Sequence, residues 1–219
     1  MAEQLLIESW GTPYHVDDSG VYALIEAKVE SDGPMYIEGV FMQADVVNRN
    51  GRRYPKKVME KAVDKYITEQ VVTRQALGEL NHPSRSNVDP AEAAIRITEL
   101  WWDGANVMGK AIVLDTTKGK EVQALIKGGW VPGVSSRGLG SVKQVGGINE
   151  VQDFRLTVGV DVVWGPSAPN AYVRAVNEST QHPAEKAAIN TPISENSDEN
   201  SANLDADFAK LAETLEKLL

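Results

Sequence analysis

The sequence contains no cysteine, which excludes disulfide bridges, thiolate zinc sites and a cysteine nucleophile, and suits a reducing cytosol. No apolar run approaches the roughly 20 residues that a membrane-spanning helix needs. Met1 to Trp10 lack the basic start and long apolar stretch of a secretion signal, so none is expected. Basic charge is also in short supply, with 22 Lys and Arg against 31 Asp and Glu, a formal net of -9. The deficit is uneven: residues 176–219 carry three basic against nine acidic side chains, while the body before them carries 19 against 22. Neither part offers the basic face that a phosphate backbone requires, so neither nucleic acid nor membrane is an expected partner. Histidine is limited to His15, His82 and His182, which leaves few options for proton transfer near neutral pH.

What is present is enough for one domain and a tail: 219 residues, 42% of them apolar, can bury a real core. Met35–Ala44, Ala93–Trp102, Val107–Leu114, Arg155–Trp164 and Ala171–Val176 are rich in β-branched and aromatic residues and read as strands. Pro55–Val71 places Val58, Ala62, Tyr66 and Met59, Val63, Ile67 on one helical face, with Pro55 in the first turn. Lys120–Lys127 is a shorter helix ended by Gly128 and Gly129. Strands outnumber helices and lack regular helical crossovers, which predicts an α+β fold: a mostly antiparallel sheet or small barrel with flanking helices.

After about Val176 the character changes. Residues 177–203 are polar and proline-punctuated and read as a disordered linker. In 204–219 the residues Leu204, Phe208, Leu211, Leu215 and Leu218 recur at helical spacing in an acidic segment. So short an amphipathic helix needs a surface to cover, either the body of the chain or a partner, and the long tether favours a partner. The expected division is thus 1–34 as an N-terminal segment, 35–176 as the main domain, 177–203 as linker and 204–219 as helix.

Three places could carry chemistry. His82 lies in Gly78-Glu79-Leu80-Asn81-His82-Pro83, where the proline restricts the backbone before it; a lone loop histidine is otherwise most often structural. His15, beside the acidic Val16-Asp17-Asp18, and His182, in the linker, are poorly placed to be held rigidly. The second place is Gly133-Val134-Ser135-Ser136-Arg137-Gly138-Leu139-Gly140. A serine nucleophile needs a base to take its proton and donors or a cation aimed at the oxyanion. Arg137 could supply that charge, and a glycine-rich hairpin with incidental serines is the plainer alternative. The third is Asp161 within Leu156-Thr157-Val158-Gly159-Val160-Asp161-Val162-Val163-Trp164. A carboxylate in an apolar strand is costly unless paired or facing water. It sits either on an exposed edge or beside His82 as an orienting acid, and period-two alternation does not choose between these.

These residues together resemble a family. Met35–Ala44, Val46-Val47-Asn48-Arg49-Asn50-Gly51-Arg52-Arg53-Tyr54-Pro55, Gly78–Pro83, Val134–Gly140 and Thr157–Asp161 are similar, in chain order, to the prohead core protein proteases of T-even-type phages. The resemblance spans about Leu5 to Val173 and implies a herpesvirus-assemblin-like fold and serine endopeptidase activity. It implies the order His82, then Ser135, with Ser136 as the adjacent alternative and Arg137 and Ser136 as oxyanion or support residues. The herpesvirus relatives use a second histidine as third member. No histidine follows the serines here except His182, and Asp161 occupies the corresponding place.

The resemblance also implies cleavage after glutamate with an aliphatic residue two positions earlier. Leu6-Ile7-Glu8, Leu24-Ile25-Glu26 and Ile193-Ser194-Glu195 fit, and cuts after Glu8, before Ser9, and after Glu195 would remove the two termini of a zymogen. Expected substrates are scaffold or core proteins and the major capsid protein, inside the prohead in the host cytoplasm, with the enzyme a homo-oligomer. No cofactor and no metal are expected, since only one well-placed histidine exists and no ligand cluster accompanies it. The competing reading is a catalytically silent core or tube-like structural protein of the same fold.

Overall fold

A computed structural model describes residues 33–176, together with the backbone of three earlier strands, β1 (Gln4–Ile7), β2 (Tyr14–Val16) and β3 (Tyr22–Leu24). The chain divides into two units, Met1–Thr180 and Gln181–Leu219. The expected linker and amphipathic helix, with His182, Glu8, Ser9, Ile25, Glu26 and Glu195, lie outside the described residues. His15 falls in β2, which pairs antiparallel with β3.

The body is mostly antiparallel sheet with two helices. The remaining strands are β4 (Tyr36–Gln43), β5 (Arg52–Arg53), β6 (Leu77–Glu79), β7 (Ala93–Asp103), β8 (Asn106–Val113), β9 (Gly133–Val145), β10 (Ile148–Val163) and β11 (Val173–Val176). One sheet runs β1-β9-β10-β5 and the other β11-β4-β8-β7-β6. Among the described residues β5 forms the one parallel strand pair, through Arg52 and Arg53 against Asn149 and Glu150 of β10. Isolated bridges connect the sheets at Leu80–Val162 and Gly133–Tyr172. Of the two arrangements expected, the open sheet is the one found; among the described residues no closed barrel forms.

Local chemistry accounts for the elements. Gly146 and Gly147 both have positive φ, 59° and 81°, as the two-residue turn between β9 and β10 requires. Helix α1 (Lys56–Tyr66) starts one residue after Pro55, whose carbonyl accepts from the N–H groups of Val58 and Met59. It buries Met59, Ala62, Val63 and Tyr66 and packs on β10, and a π-helical turn, Ile67–Val71, extends it. Helix α2 (Thr117–Lys127) begins three residues before the expected Lys120. Thr116 caps it, its hydroxyl oxygen accepting from the Gly119 N–H at 3.1 Å. Gly119 interrupts the helical pattern because a Cβ there would lie 1.9 Å from the Leu114 carbonyl oxygen. The core contains Ile37 and Phe41 from β4, Ile95 and Ile97 from β7, Val107 and Ala111 from β8, Val134 from β9, and Val160 and Val162 from β10.

Candidate active site

The site is built where β10 breaks its regular pairing with β9. Arg137 pairs with Val158, but Ser135 pairs with Asp161, so Ser136 alone stands against Gly159 and Val160. This bulge shifts the register by one residue, and a one-residue shift moves a side chain to the other face of a sheet. Asp161 is therefore carried onto the face shared by Ser135 and Arg137. Without the bulge it would pair with Val134 and point the other way.

A second element brings His82 to the same face. Strand β6 ends alongside β10: Leu80 bridges Val162 in parallel, and the Asn81 N–H donates to the Val162 carbonyl at 2.8 Å. Asn81 adopts φ 68°, a left-handed conformation that asparagine tolerates better than most residues. That turn, followed by Pro83, delivers the imidazole to Asp161. His82 Nδ1 lies 2.8 Å from Asp161 Oδ2, with the histidine side chain 7% exposed and the aspartate fully buried. An ionised carboxylate only accepts, so Nδ1 carries the proton and Nε2 is the nitrogen left to act as a base.

Asp161 is held by three further donors. Arg137 gives it Nε at 2.5 Å and Nη2 at 2.9 Å, and the Glu79 backbone N–H reaches Oδ1 at 2.8 Å. Arg137 is itself fully buried and donates through Nη1 to the carbonyls of Arg85 and Asn87 at 2.9 and 3.0 Å. Glu79, 2% exposed, accepts from Arg85 Nη2 at 2.6 Å and from the Asp89 N–H at 2.5 Å, and lies 3.6 Å from Arg137. Two carboxylates thus face two guanidiniums, and buried charge of this kind persists only when so paired. The expectation that Arg137 supplies charge to an oxyanion gives way to one of support: its donors point at Asp161 and at the loop after His82.

Ser135 is 3% exposed and Ser136 is half-buried, and both border a small cavity of about 30 Å³ that Gln43, Asn48 and Ser167 also line. Tyr66 lies behind the network, and burial pushes its hydroxyl up to about 12. Sequence points to Glu79 only as an alternative orienting acid for His82, and not to Arg85. The available signal was Glu79 itself, a charge at the end of a short strand of small and apolar residues. The structure brings His82, Ser135, Arg137 and Asp161 onto one surface and leaves Ser136 on the neighbouring position of the strand.

Comparison with known proteins gives concordant results. A family described as prohead core protein serine protease matches residues 5–181. The prohead core protein protease of Enterobacteria phage T4 is 53% identical over 194 residues, covering 84% of this chain and 91% of that protein. The solved structure of the bacteriophage T4 capsid assembly protease has a TM-score of 0.64 and 50% identity, covering 75% of this chain and 99% of its own.

Proposed function

The chain belongs to the prohead core protein serine protease family, and from that premise we propose that it is a serine endopeptidase with Ser135 as nucleophile, His82 as base and Asp161 as orienting acid. The carrying observation is the Asp161 carboxylate, hydrogen-bonded to His82 Nδ1 and paired in register with Ser135. In the first step Ser135 Oγ adds to the scissile carbonyl carbon while its proton passes to His82 Nε2, and the carbonyl π pair moves onto oxygen. Collapse of that adduct breaks the C–N bond, and the leaving nitrogen takes the proton from His82. Water then attacks the acyl-serine by the same route, releasing the new carboxylate and restoring the serine hydroxyl. Asp161 holds the imidazole in the tautomer this sequence needs, and Arg137 and Glu79 hold Asp161. A fluorophosphonate probe tests the assignment: Ser135 labels and Ser135→Ala does not. A folded full chain that never labels and cuts nothing would favour the silent structural protein instead.

The substrates proposed are the scaffold, core and capsid proteins of a prohead, in keeping with the similarity to the T4 capsid assembly protease. We propose the same setting for this chain: inside the prohead in the host cell, as a homo-oligomer, with residues 35–176 forming the protease domain. It would mature by cutting its own chain after Glu8 and after Glu195, the second cut releasing a partner-binding helix at 204–219 from its linker. Pairing of β1, which ends at Ile7, with the strand that carries Ser135 supports the first cut. Amino-terminal sequencing of matured protein tests it: a chain beginning at Ser9 is expected, and one retaining Met1 or Ala2 rules it out.

A further inference from the structure

The outer edge of β9, the side away from β10, changes occupant at the serines. At one end the Val134 N–H donates to the Ala171 carbonyl, and the Pro132 carbonyl accepts from the Val173 N–H. At the other end β1 pairs antiparallel, Gln4 with Gly140, Leu5 with Leu139, Leu6 with Gly138 and Ile7 with Arg137. An extended chain lying along this edge from Gly140 therefore meets the 171–173 segment just past Ser135 and has to leave the sheet there.

The parity of the strand fixes which groups face that edge. The Arg137 carbonyl accepts from Thr157 Oγ1 on β10, so it points inward, whereas the Val134 N–H points outward. The backbone N–H and C=O of a strand residue share one side, and successive residues alternate. Ser136, Gly138 and Gly140 consequently offer donors and acceptors to an added strand, and residues paired with them exchange two hydrogen bonds each. A chain continued past Ile7 at the same spacing would bring its next residue opposite Ser136 and the one after it opposite Ser135.

From this we infer that the β9 edge over residues 136–140 is the docking strand for the peptide to be cut, and that the Ser136 main-chain N–H receives the scissile carbonyl. The inference rests on Ser135 being the nucleophile. As Ser135 Oγ adds to the Glu8 carbonyl carbon, the electron pair moves onto an oxygen that already accepts from Ser136, where the developing charge strengthens the bond. The Ser136 side chain is not needed for this; its backbone is. In the uncut chain β1 occupies the edge, so a second peptide enters only by displacing it, and tethering gives β1 the advantage of high effective concentration. Once the bond after Glu8 is cut, the edge opens to an extended segment of another protein by strand addition.

The test is a proline pair in the full-length chain. Leu6→Pro deletes an N–H aimed at Gly138, whereas Leu5→Pro deletes one aimed away from β9, which an edge strand tolerates. Intact mass follows the product that begins at Ser9, and a fluorophosphonate reports on Ser135. Leu6→Pro is expected to slow the cut by about tenfold or more while Ser135 still labels, and Leu5→Pro to stay within about threefold. Equal rates for the two variants, or a slower Leu5→Pro, overturn the docking register while leaving the nucleophile standing. Cutting that persists in Ser135→Ala, with no label at Ser135 in any variant, overturns the nucleophile and the docking strand with it.

Discussion

Replacing Asp161 with Asn exchanges one carboxylate oxygen for an NH₂ group and removes one unit of charge, and four hydrogen bonds converge on that carboxylate. The carboxylate accepts from His82 Nδ1, from Arg137 twice and from the Glu79 N–H. An amide has one acceptor oxygen, so at least one of these donors must face its NH₂ group. The network of Glu79, Asp161, Arg85 and Arg137 also goes from neutral to a net charge of about +1, with Arg85 alone of the four side chains reaching solvent. Removing one partner of a buried ion pair costs about 3–5 kcal/mol. For a domain of this size that lowers Tm by about 6–20 °C, a large part of the ordinary stability of about 5–15 kcal/mol. Turnover should fall by about 10⁴-fold, because the imidazole loses the acceptor that keeps its proton on Nδ1. The assays are thermal denaturation and kcat on a peptide ending its acyl side in glutamate, measured at 15 °C where the variant stays folded. Glu79→Gln is the control: it touches Arg85 and Arg137 but not His82, so a comparable loss of Tm should come with less than about a tenfold loss of kcat. An Asp161→Asn chain melting within about 2 °C of the unchanged protein, with kcat within about tenfold, would refute the carboxylate as the hub.

Other outcomes follow from the same geometry. His82→Ala should abolish cleavage as completely as Ser135→Ala, while Ser136→Ala keeps substantial activity; an inactive Ser136→Ala beside an active Ser135→Ala would move the nucleophile by one residue. Burial holds Tyr66 near 12 against the ordinary 10.0, so above pH 10 the unfolded chain loses this proton first and stability falls through pH 12. The loss is about 2–3 kcal/mol, and Tyr66→Phe should flatten the alkaline limb of a Tm-against-pH curve; an unchanged limb would show that Tyr66 does not set it. Deleting 203–219 should leave peptide cleavage intact and reduce incorporation into proheads; full incorporation would remove the docking role of the tail.

The strands that form the core were legible because they are rich in β-branched and aromatic residues. Ala93–Trp102 and Val107–Leu114 came within a residue or so of the observed β7 and β8. Strand β10 was seen only from Arg155, although it starts at Ile148. Its first half carries Asn149, Glu150, Gln152 and Asp153 on an arm that stands partly in solvent, where no apolar pattern is required. The glycines of Gly133–Gly140 suggest a turn and are strand residues instead. A Cβ on Gly138 would meet the Phe154 ring at 2.3 Å, and one on Gly133 would meet Pro166 at 2.4 Å. Close packing produces the same letters as a turn does, and local sequence does not distinguish the two.

The site was legible residue by residue and illegible as a network, for a reason that lies in β10. Alternation along Leu156 to Trp164 does not place Asp161, because the bulge at Gly159 and Val160 resets the parity just before it. What the sequence did contain was a second charge in the same predicament: Arg137, between Ser136 and Gly138, on a strand with no exposed face to escape to. The cost of burying a lone charge applies equally to both, so Asp161 and Arg137 each predict a partner, and each is the other's. The consequence separates two kinds of residue in this active site. Arg137 ties β9 to Asp161 and to the carbonyls of Arg85 and Asn87, so the ion pair that orients the base also closes the fold around it. Substitutions at Arg137, Glu79 or Asp161 should therefore lose stability along with any activity, whereas Ser135 and His82 can be changed with the fold intact.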